Sequence, residues 1–413
     1  MGRKIWIINH YAASSFFSKE GRHYWFAKYL KRKGYEPVIF ACNTKHGKKE
    51  KWIDSDSLWI EKHDEMIDVP FVFIRSTMYE TNGKERIRNM VTFFINTIKT
   101  AKEYSKQRGK PDVILASSVH PLTLVAGEKL GKKFNVPCIC EVRDLWPFTL
   151  VELGLLKNES IIAKALYKGE KWIYSKANQI VFTMKNGKNY ILDQGWNRAI
   201  NLKKIHYINN GIDLDNYYEI VNSNSFFDED LESDEFKIVY TGAMGPPNQI
   251  DMIIDAAAEL QSKGKNNIKI LLYGDGECKT IQEKRAQELH LENVVFKGRV
   301  KREKIPFIIS KCDATIITIK NSKLYKYGLS PNKVFEYLAG GKPIICNDDS
   351  LRSIIGDKNC ALIDKSLSQA IDRLTNLTKD DYIKMCICAK EESTQYSFDN
   401  LTTKLIDVIE ECF

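Results

Sequence analysis

The sequence predicts an α/β protein of two doubly wound parallel sheets, each in its own domain, on three observations. Short apolar runs recur at strand length, most are separated by spacers long enough for a helix, and they fall into two series parted by an acidic, aperiodic stretch. In chain order the first series is IWIIN (5–9), PVIFAC (37–42), FVFIR (71–75), DVILAS (112–117), PCICEV (137–142), QIVFTM (179–184) and KIHYIN (204–209). The second is FKIVYTG (236–242), IKILLYG (268–274), VVFKG (294–298), ATIITI (314–319) and PIICN (343–347), with helical spacers such as DMIIDAAAELQSKG.

A chain of 413 residues is too long for one ordinary core and fits two domains. VNSNSFFDEDLESDEF has the composition of a surface linker, which gives a first domain over 1–220, a linker over 221–236 and a second domain over 237–380. The tail 381–413 carries helical spacing at Tyr382, Met385, Ile387, Leu401, Leu405 and Ile409, as expected of a terminal segment packing back on the first domain. Two such domains face each other across a cleft, and ligands of open α/β sheets bind at the carboxyl ends of the strands.

With 43% hydrophobic and 28% charged residues the composition is that of an ordinary globular protein rather than a disordered one. No apolar stretch reaches membrane-spanning length, and KIWII opens a strand without a signal-peptide layout, so a cytoplasmic location is expected. The ten cysteines show no CxxC pair, and they read as reduced thiols with no metal site. For Cys138 and Cys140 the strand's alternation argues the same way. Asp54 and Asp56 form a DxD triplet of the kind that arises by chance. The net charge of +9 is localised: residues 1–110 hold 22 Lys+Arg against 12 Asp+Glu, so the rest is nearly neutral. A solvated surface, an anionic membrane, nucleic acid or an anionic substrate all fit such a front end.

The most informative stretch is GLSPNKVFEYLAGGKPIIC, Gly328 to Cys346. Ser330 reads as an N-cap, Pro331 as the first helical position and Gly340 or Gly341 as the left-handed cap. Lys333 then falls in the first turn, where the dipole disfavours a cation by about 0.3–1 kcal/mol unless an anion sits there. A phosphate or diphosphate is the simplest such anion, with Glu336 one turn further on, within reach of a sugar hydroxyl pair. A capped surface helix with a solvated lysine is the alternative.

SPNKVFEYLAGGKPII resembles the donor-binding segment of the retaining GT-B glycosyltransferases of family 4. YTGAMGPPNQIDMIIDAA (240–257), YGDGE (273–277), VVFKGRVKREKIP (294–306) and NNGIDLDNY (209–217) fall in that family's order. EVRDLWP (141–147) resembles the branch acting in O-antigen and capsule assembly, including N-acetylfucosaminyltransferase-like enzymes. The resemblance implies a GT-B fold of two Rossmann-like domains and a nucleotide-sugar donor, UDP by family weight. It also implies a glycan or polyprenyl-diphosphate-linked acceptor, and no metal, cofactor or nucleic acid. Carried over, it assigns Glu336 to the ribose, the Gly328, Leu329, Ser330, Asn332 and Lys333 turn to the donor diphosphate and sugar, and Arg299 and Val300 to the base. Gly21 would approach the diphosphate from the other domain.

Three departures from the family pattern stand out. Its second Glu is here Gly328, its Arg and Lys after the YTG strand are absent from GAMGPPNQ, and its HD histidine is Arg143. Lys333 is thus the main catalytic cation, with Arg299, Lys323, Lys326 and Arg143 as helpers. Arg143 either reaches the donor or pairs with Asp144. Asp144 and His120 are expected to orient the acceptor, unless His120 packs a loop. The leaving phosphate itself takes the acceptor proton in the front-face mechanism usually given for the family. A non-hydrolysing UDP-sugar epimerase and a non-catalytic nucleotide-sugar-binding regulator are the alternatives.

Finally, KERIRNMVTFFINTIKTAKEYSKQ (84–107) places Ile87, Met90, Val91, Phe94, Ile98 and Ala101 on one face expected to be buried, with Phe93 off it. With Arg86, Arg88, Lys99, Lys102, Lys106 and the loop KHGKKEKW, the first domain would meet an anionic membrane from the cytoplasmic side.

Overall fold

The computed structural model describes residues 2–223 and 226–413. Two compact units emerge: one runs to Asn209 and takes back Phe398–Phe413, and the other is Asn210–Ser397.

The first unit holds eight strands: β1 (Lys4–Ile8), β2 (Glu36–Cys42), β3 (Trp59–Asp64), β4 (Val69–Ile74), β5 (Val113–Ser117), β6 (Cys138–Val142), β7 (Gln179–Phe182) and β8 (Ile205–Tyr207). Their order is β3-β4-β2-β1-β5-β6-β7-β8, parallel throughout except for the antiparallel pairing of β3 on β4. All seven expected strands form. Edge strand β3 was not anticipated, because WIEKHD is mostly polar and has no apolar run to signal it.

The second unit holds β9 (Phe236–Ala243), β10 (Ile268–Asp275), β11 (Val294–Gly298), β12 (Ala314–Ile317), β13 (Ile344–Cys346) and β14 (Ala361–Ile363), ordered β11-β10-β9-β12-β13-β14 and all parallel. Separate apolar clusters cover its two faces, one around Val239, Phe335 and Leu338, the other around Ile238, Ile254 and Leu272. Only the three-residue β14 was missed.

The stretch 221–236 is not a free linker. The division falls at Asn209/Asn210, and the acidic stretch folds into the second unit: Asp228 accepts from Tyr273 at 2.7 Å and from Lys297 at 2.6 Å, and Asp230 pairs with Lys269 and Lys297. Two of its acids thus hold the half-buried Lys269 and Lys297; Asn224 and Ser225 of that stretch lie outside the described residues. The tail also divides. Helix Lys379–Gln395, with Met385 buried and the Tyr382 hydroxyl on the Asp313 carbonyl, stays in the second unit, whereas helix Phe398–Glu410 packs on helix Arg22–Arg32.

Helix Lys84–Arg108 buries only part of the expected face: Met90 and Ala101 are inside with Phe93, Thr97, Thr100 and Tyr104, Phe94 and Ile98 are half-buried, and Ile87 and Val91 are exposed. Asn89, Thr97 and Thr100 complete the inner stripe, so an apolar count alone set its centre part of a turn away. Phe93 is fully buried and stacks on His10, ring centroids 4.2 Å apart. In the loop KHGKKEKW, Lys45, Lys49 and Lys51 are already paired with Glu50, Glu80 and Asp54. Cys138 and Cys140, two residues apart on β6, point to one side together and meet Glu128; the alternation of a strand puts them on the same face, contrary to the expectation.

Candidate donor site

The site in the second unit is built where β9, β10 and β11 end. In the register, Gly274 of β10 lies opposite Gly242 of β9, and a Cβ on Gly274 would stand 1.8 Å from the Gly242 carbonyl oxygen. Glycine there lets the two strand ends close up into a floor. Gly242 itself, at φ +133°, leaves room for the Lys333 ammonium, which is 3.0 Å from where a Cβ would be.

Above this floor is a cavity of about 510 Å³ lined by the strand ends, by Arg299, Val300, Arg302 and Ile305 after β11, and by Asn332, Lys333 and Glu336. Helix Asn332–Ala339 begins one residue later than its sequence suggests, because Pro331 (φ −78°, ψ 128°) is the N-cap. Ser330 does not cap it; its carbonyl and hydroxyl instead accept from Asn210. Its inner face, Val334, Phe335, Tyr337 and Leu338, is buried, and this anchoring fixes Lys333 and Glu336 toward the cavity.

Lys333 Nζ donates to the Tyr240 hydroxyl at 2.9 Å and to Asn248 Oδ1 at 3.3 Å, and lies 4.1 Å from the Tyr240 ring centroid. The Tyr240 hydroxyl in turn donates a hydrogen bond to the Ala243 carbonyl at 2.6 Å. Among the described residues no carboxylate is ion-paired with Lys333, and burial, partly countered by Glu336, lowers its pKa to about 8. A cation so enclosed costs free energy that an opposite charge in the cavity would offset. Glu336 accepts from Arg302 at 3.2 Å.

Five of the expected donor residues, Arg299, Val300, Asn332, Lys333 and Glu336, thus line one cavity. Gly328 (φ +110°), Leu329 and Ser330 precede it and do not line it, and neither do Lys323 and Lys326, which belong to the turn Lys323–Tyr327. Sequence reasoning missed Arg302, Tyr240 and Asn248. Arg302 was signalled by GRVKREK, where a second arginine follows Arg299 by three residues.

The remaining candidates lie in the first unit, at the carboxyl edge of its sheet. Gly21, at φ +111°, is the N-cap of helix Arg22–Arg32. His120 caps helix Pro121–Phe134 and is buried, with its Nε2 2.6 Å from His10 Nδ1. Burial, with Arg86 adding to it, lowers its pKa to about 3, so the pair is neutral. Arg143 donates its backbone N–H to Ser118 Oγ at 2.9 Å, and among the described residues no ion pair joins it to Asp144. Crowding by its neighbours raises the Asp144 carboxyl above its ordinary value, more than Arg143 lowers it.

Beside them is a network absent from the sequence reading. Glu141, fully buried on β6, accepts from Arg22 Nε at 2.9 Å and Ser117 Oγ at 2.7 Å, with His23 Nε2 at 3.2 Å. Burial alone would raise this carboxyl, but Arg22 and His23 outweigh it and hold it well below the carboxylate range. Arg22 also donates to the carbonyls of Ile208 and Asn209. The signal was a glutamate inside the apolar CICEV run, which requires a buried cation.

Two family models match the chain: "Glycosyltransferase Family 4" over residues 24–216 and "Glycosyl transferases group 1" over residues 235–380. Between them the two models span parts of both units, and in both the chain resembles the GT4-like GT-B glycosyltransferases. The chain is 22% identical over 274 residues to the Pseudomonas aeruginosa protein named "Probable glycosyltransferase WbjE", a match that spans 65% of each chain, just under two thirds of that relative's length. Its fold is similar to that of Anabaena HepE, solved in complex with UDP (12% identity, TM-score 0.67, 100% of both chains). It is also similar to the Escherichia coli trehalose-6-phosphate protein bound with UDP-2-fluoro glucose (10% identity, TM-score 0.73, 99% of both chains). Among the described residues no helix is long and apolar enough to cross a membrane.

Proposed function

We propose that this protein moves a sugar from a UDP-sugar donor, with retention of configuration, to a glycan or polyprenyl-diphosphate-linked acceptor in cell-surface polysaccharide synthesis, without a metal or cofactor. The observation that carries the donor reading is the buried Lys333 ammonium, which has no carboxylate partner among the described residues and faces a cavity also lined by Arg299 and Arg302. Three cations around a strand-end cavity suit a diphosphate. As the sugar–phosphate bond breaks, negative charge grows on the leaving phosphate, and a preorganised ammonium and helix N-terminus stabilise it. Glu336 takes the ribose hydroxyls, and Val300 borders the base.

UDP, rather than another nucleotide, is supported by the UDP and UDP-2-fluoro glucose held by the two similar structures. The polysaccharide role and the O-antigen or capsule branch rest on EVRDLWP and the partial likeness to WbjE. In the first unit Asp144 and Arg143 would position the acceptor; His120, being buried, would act only through the loop it holds. The charge excess of residues 1–110 supports attachment to the inner face of the cell membrane.

The test is a thermal-shift panel of nucleotide sugars followed by UDP release with a lipid-linked acceptor. A UDP-sugar at one hundred times its Kd should stabilise by about 2.7 kcal/mol. Acceptor-dependent UDP release is expected; donor binding without it would indicate a sensor, and interconversion of free UDP-sugars an epimerase.

A further inference from the structure

We propose that the first unit carries a lipid-inserting lip, formed by Leu153, Leu155, Ile161 and Ile162, that seats on an anionic bilayer. These four side chains are 60, 72, 86 and 65% exposed within ten residues of sequence. Single exposed aliphatics are ordinary, but four within ten residues are a local concentration that a soluble surface rarely presents without a partner.

The lip is an ordered structure. Gly154, at φ +71°, turns the chain between the two leucines, and the Leu155 N–H is tied to the Leu150 carbonyl at 2.9 Å. Ser160 caps helix Ile161–Lys176 by accepting from the Ala163 N–H at 3.1 Å. The first turn that follows has no acidic residue, although the dipole favours one there; isoleucines occupy it instead and point into solvent.

Position and charge select the occupant. Helix Ile161–Lys176 leads into β7, so its first turn lies at the carboxyl edge of the sheet, where Ser118, His120 and Asp144 also lie. Helix Lys84–Arg108 leads into β5 and adds exposed Ile87 and Val91 toward the same edge, with helix Pro121–Phe134 packed between the two. Exposed Lys157, Lys164 and Lys168 flank the aliphatics against one exposed acid, Glu159; Glu170 is buried between Tyr174 and Tyr190. A second copy on the same face would set lysines against lysines, whereas anionic headgroups match them and acyl chains receive the leucines and isoleucines. The inference deepens the membrane-facing reading above and moves its seat from the 84–107 helix and the 45–52 loop to residues 153–168.

The experiment is co-sedimentation of the full chain with vesicles of phosphatidylcholine alone and mixed with phosphatidylglycerol, at low and high salt. The wild type should bind the anionic vesicles and release in salt. The Ile161→Ser/Ile162→Ser and Leu153→Ser/Leu155→Ser variants should bind at least about tenfold more weakly, and Lys157→Glu/Lys164→Glu should lose the preference for anionic lipid. All three should keep wild-type melting and UDP stabilisation, which separates failure of the lip from failure of the donor site. Absence of wild-type binding, serine variants that bind as tightly as the wild type, or a self-association abolished by the serine changes would each overturn the proposal.

Discussion

Lys333 is held by the aromatic face of Tyr240 and two neutral oxygens, so its charge is tolerated rather than neutralised. Replacing it with methionine, which keeps the volume, should lower kcat/KM by about 10²–10³-fold while raising the melting temperature of the free protein. The sign follows from its lowered pKa, about 8 in the fold against 10.5 unperturbed. Below pH 8 both folded and unfolded chains carry the proton, and the burial cost is fully present. Between 8 and 10.5 only the unfolded chain keeps it, so stability of the wild type rises and the advantage of Lys333→Met shrinks. Donor affinity should begin to fall as pH passes about 8. An unfolded variant, or one with full activity, would remove Lys333 from the diphosphate. Glu336→Gln should weaken UDP and UDP-sugar alike, each by roughly tenfold, because the contact is to the ribose; titration calorimetry with both ligands checks it, and an effect on transfer alone contradicts it. Both residues were legible because a cation in a helix first turn is a local anomaly. Tyr240 was not, since its role arises from a contact made 93 residues away in the chain.

Strands buried on both faces announce themselves as apolar runs, which is why β1, β2 and β4–β8 could be read directly while antiparallel β3, charged and at the edge, could not. Helices proved harder. In Lys84–Arg108 the buried stripe contains Asn89, Thr97 and Thr100, and the more hydrophobic Ile87 and Val91 face water. In Ile161–Lys176 one of the four inward residues is an acid: Glu170 accepts from Tyr174 at 2.8 Å and Tyr190 at 2.7 Å. Burial raises its pKa to about 8 despite those two bonds. Between pH 4.5 and 8 the unfolded chain ionises this carboxyl while the folded one keeps its proton, so its contribution to stability falls across that window and changes little above it. Glu170→Gln should therefore melt close to the wild type near pH 4.5 and roughly 5 °C or more higher near pH 8. Parallel melting curves across that range would show that the carboxyl is solvated instead.

At the scale of the whole molecule, the chain leaves the first unit at Asn209 and returns to it at Phe398, so the first core is completed by the last segment. Helix Phe398–Glu410 buries Phe398, Leu401, Leu405, Val408 and Ile409 in the cluster that holds Phe26 and Leu30. Glu410 bonds to Arg3 and Tyr35, and Asp399 pairs with Lys33. These exposed ion pairs contribute little, but five large apolar side chains at ~1.5–3 kcal/mol each approach the entire stability of a domain. A chain ending at Ser397 should consequently lose the first unit as a cooperative structure while the second, Asn210–Ser397, keeps both faces of its sheet covered by its own residues. Hydrogen exchange resolves the two: amides of β1, β2 and helix Arg22–Arg32 should exchange rapidly in the shortened chain, and those of β9, β10 and helix Asn332–Ala339 should stay protected and gain protection with UDP. Protection of β1 and β2 equal to that of the full chain would mean that the returning helix is an accessory to the first core. Loss of protection in β9 and β10 as well would mean that the two units do not fold separately.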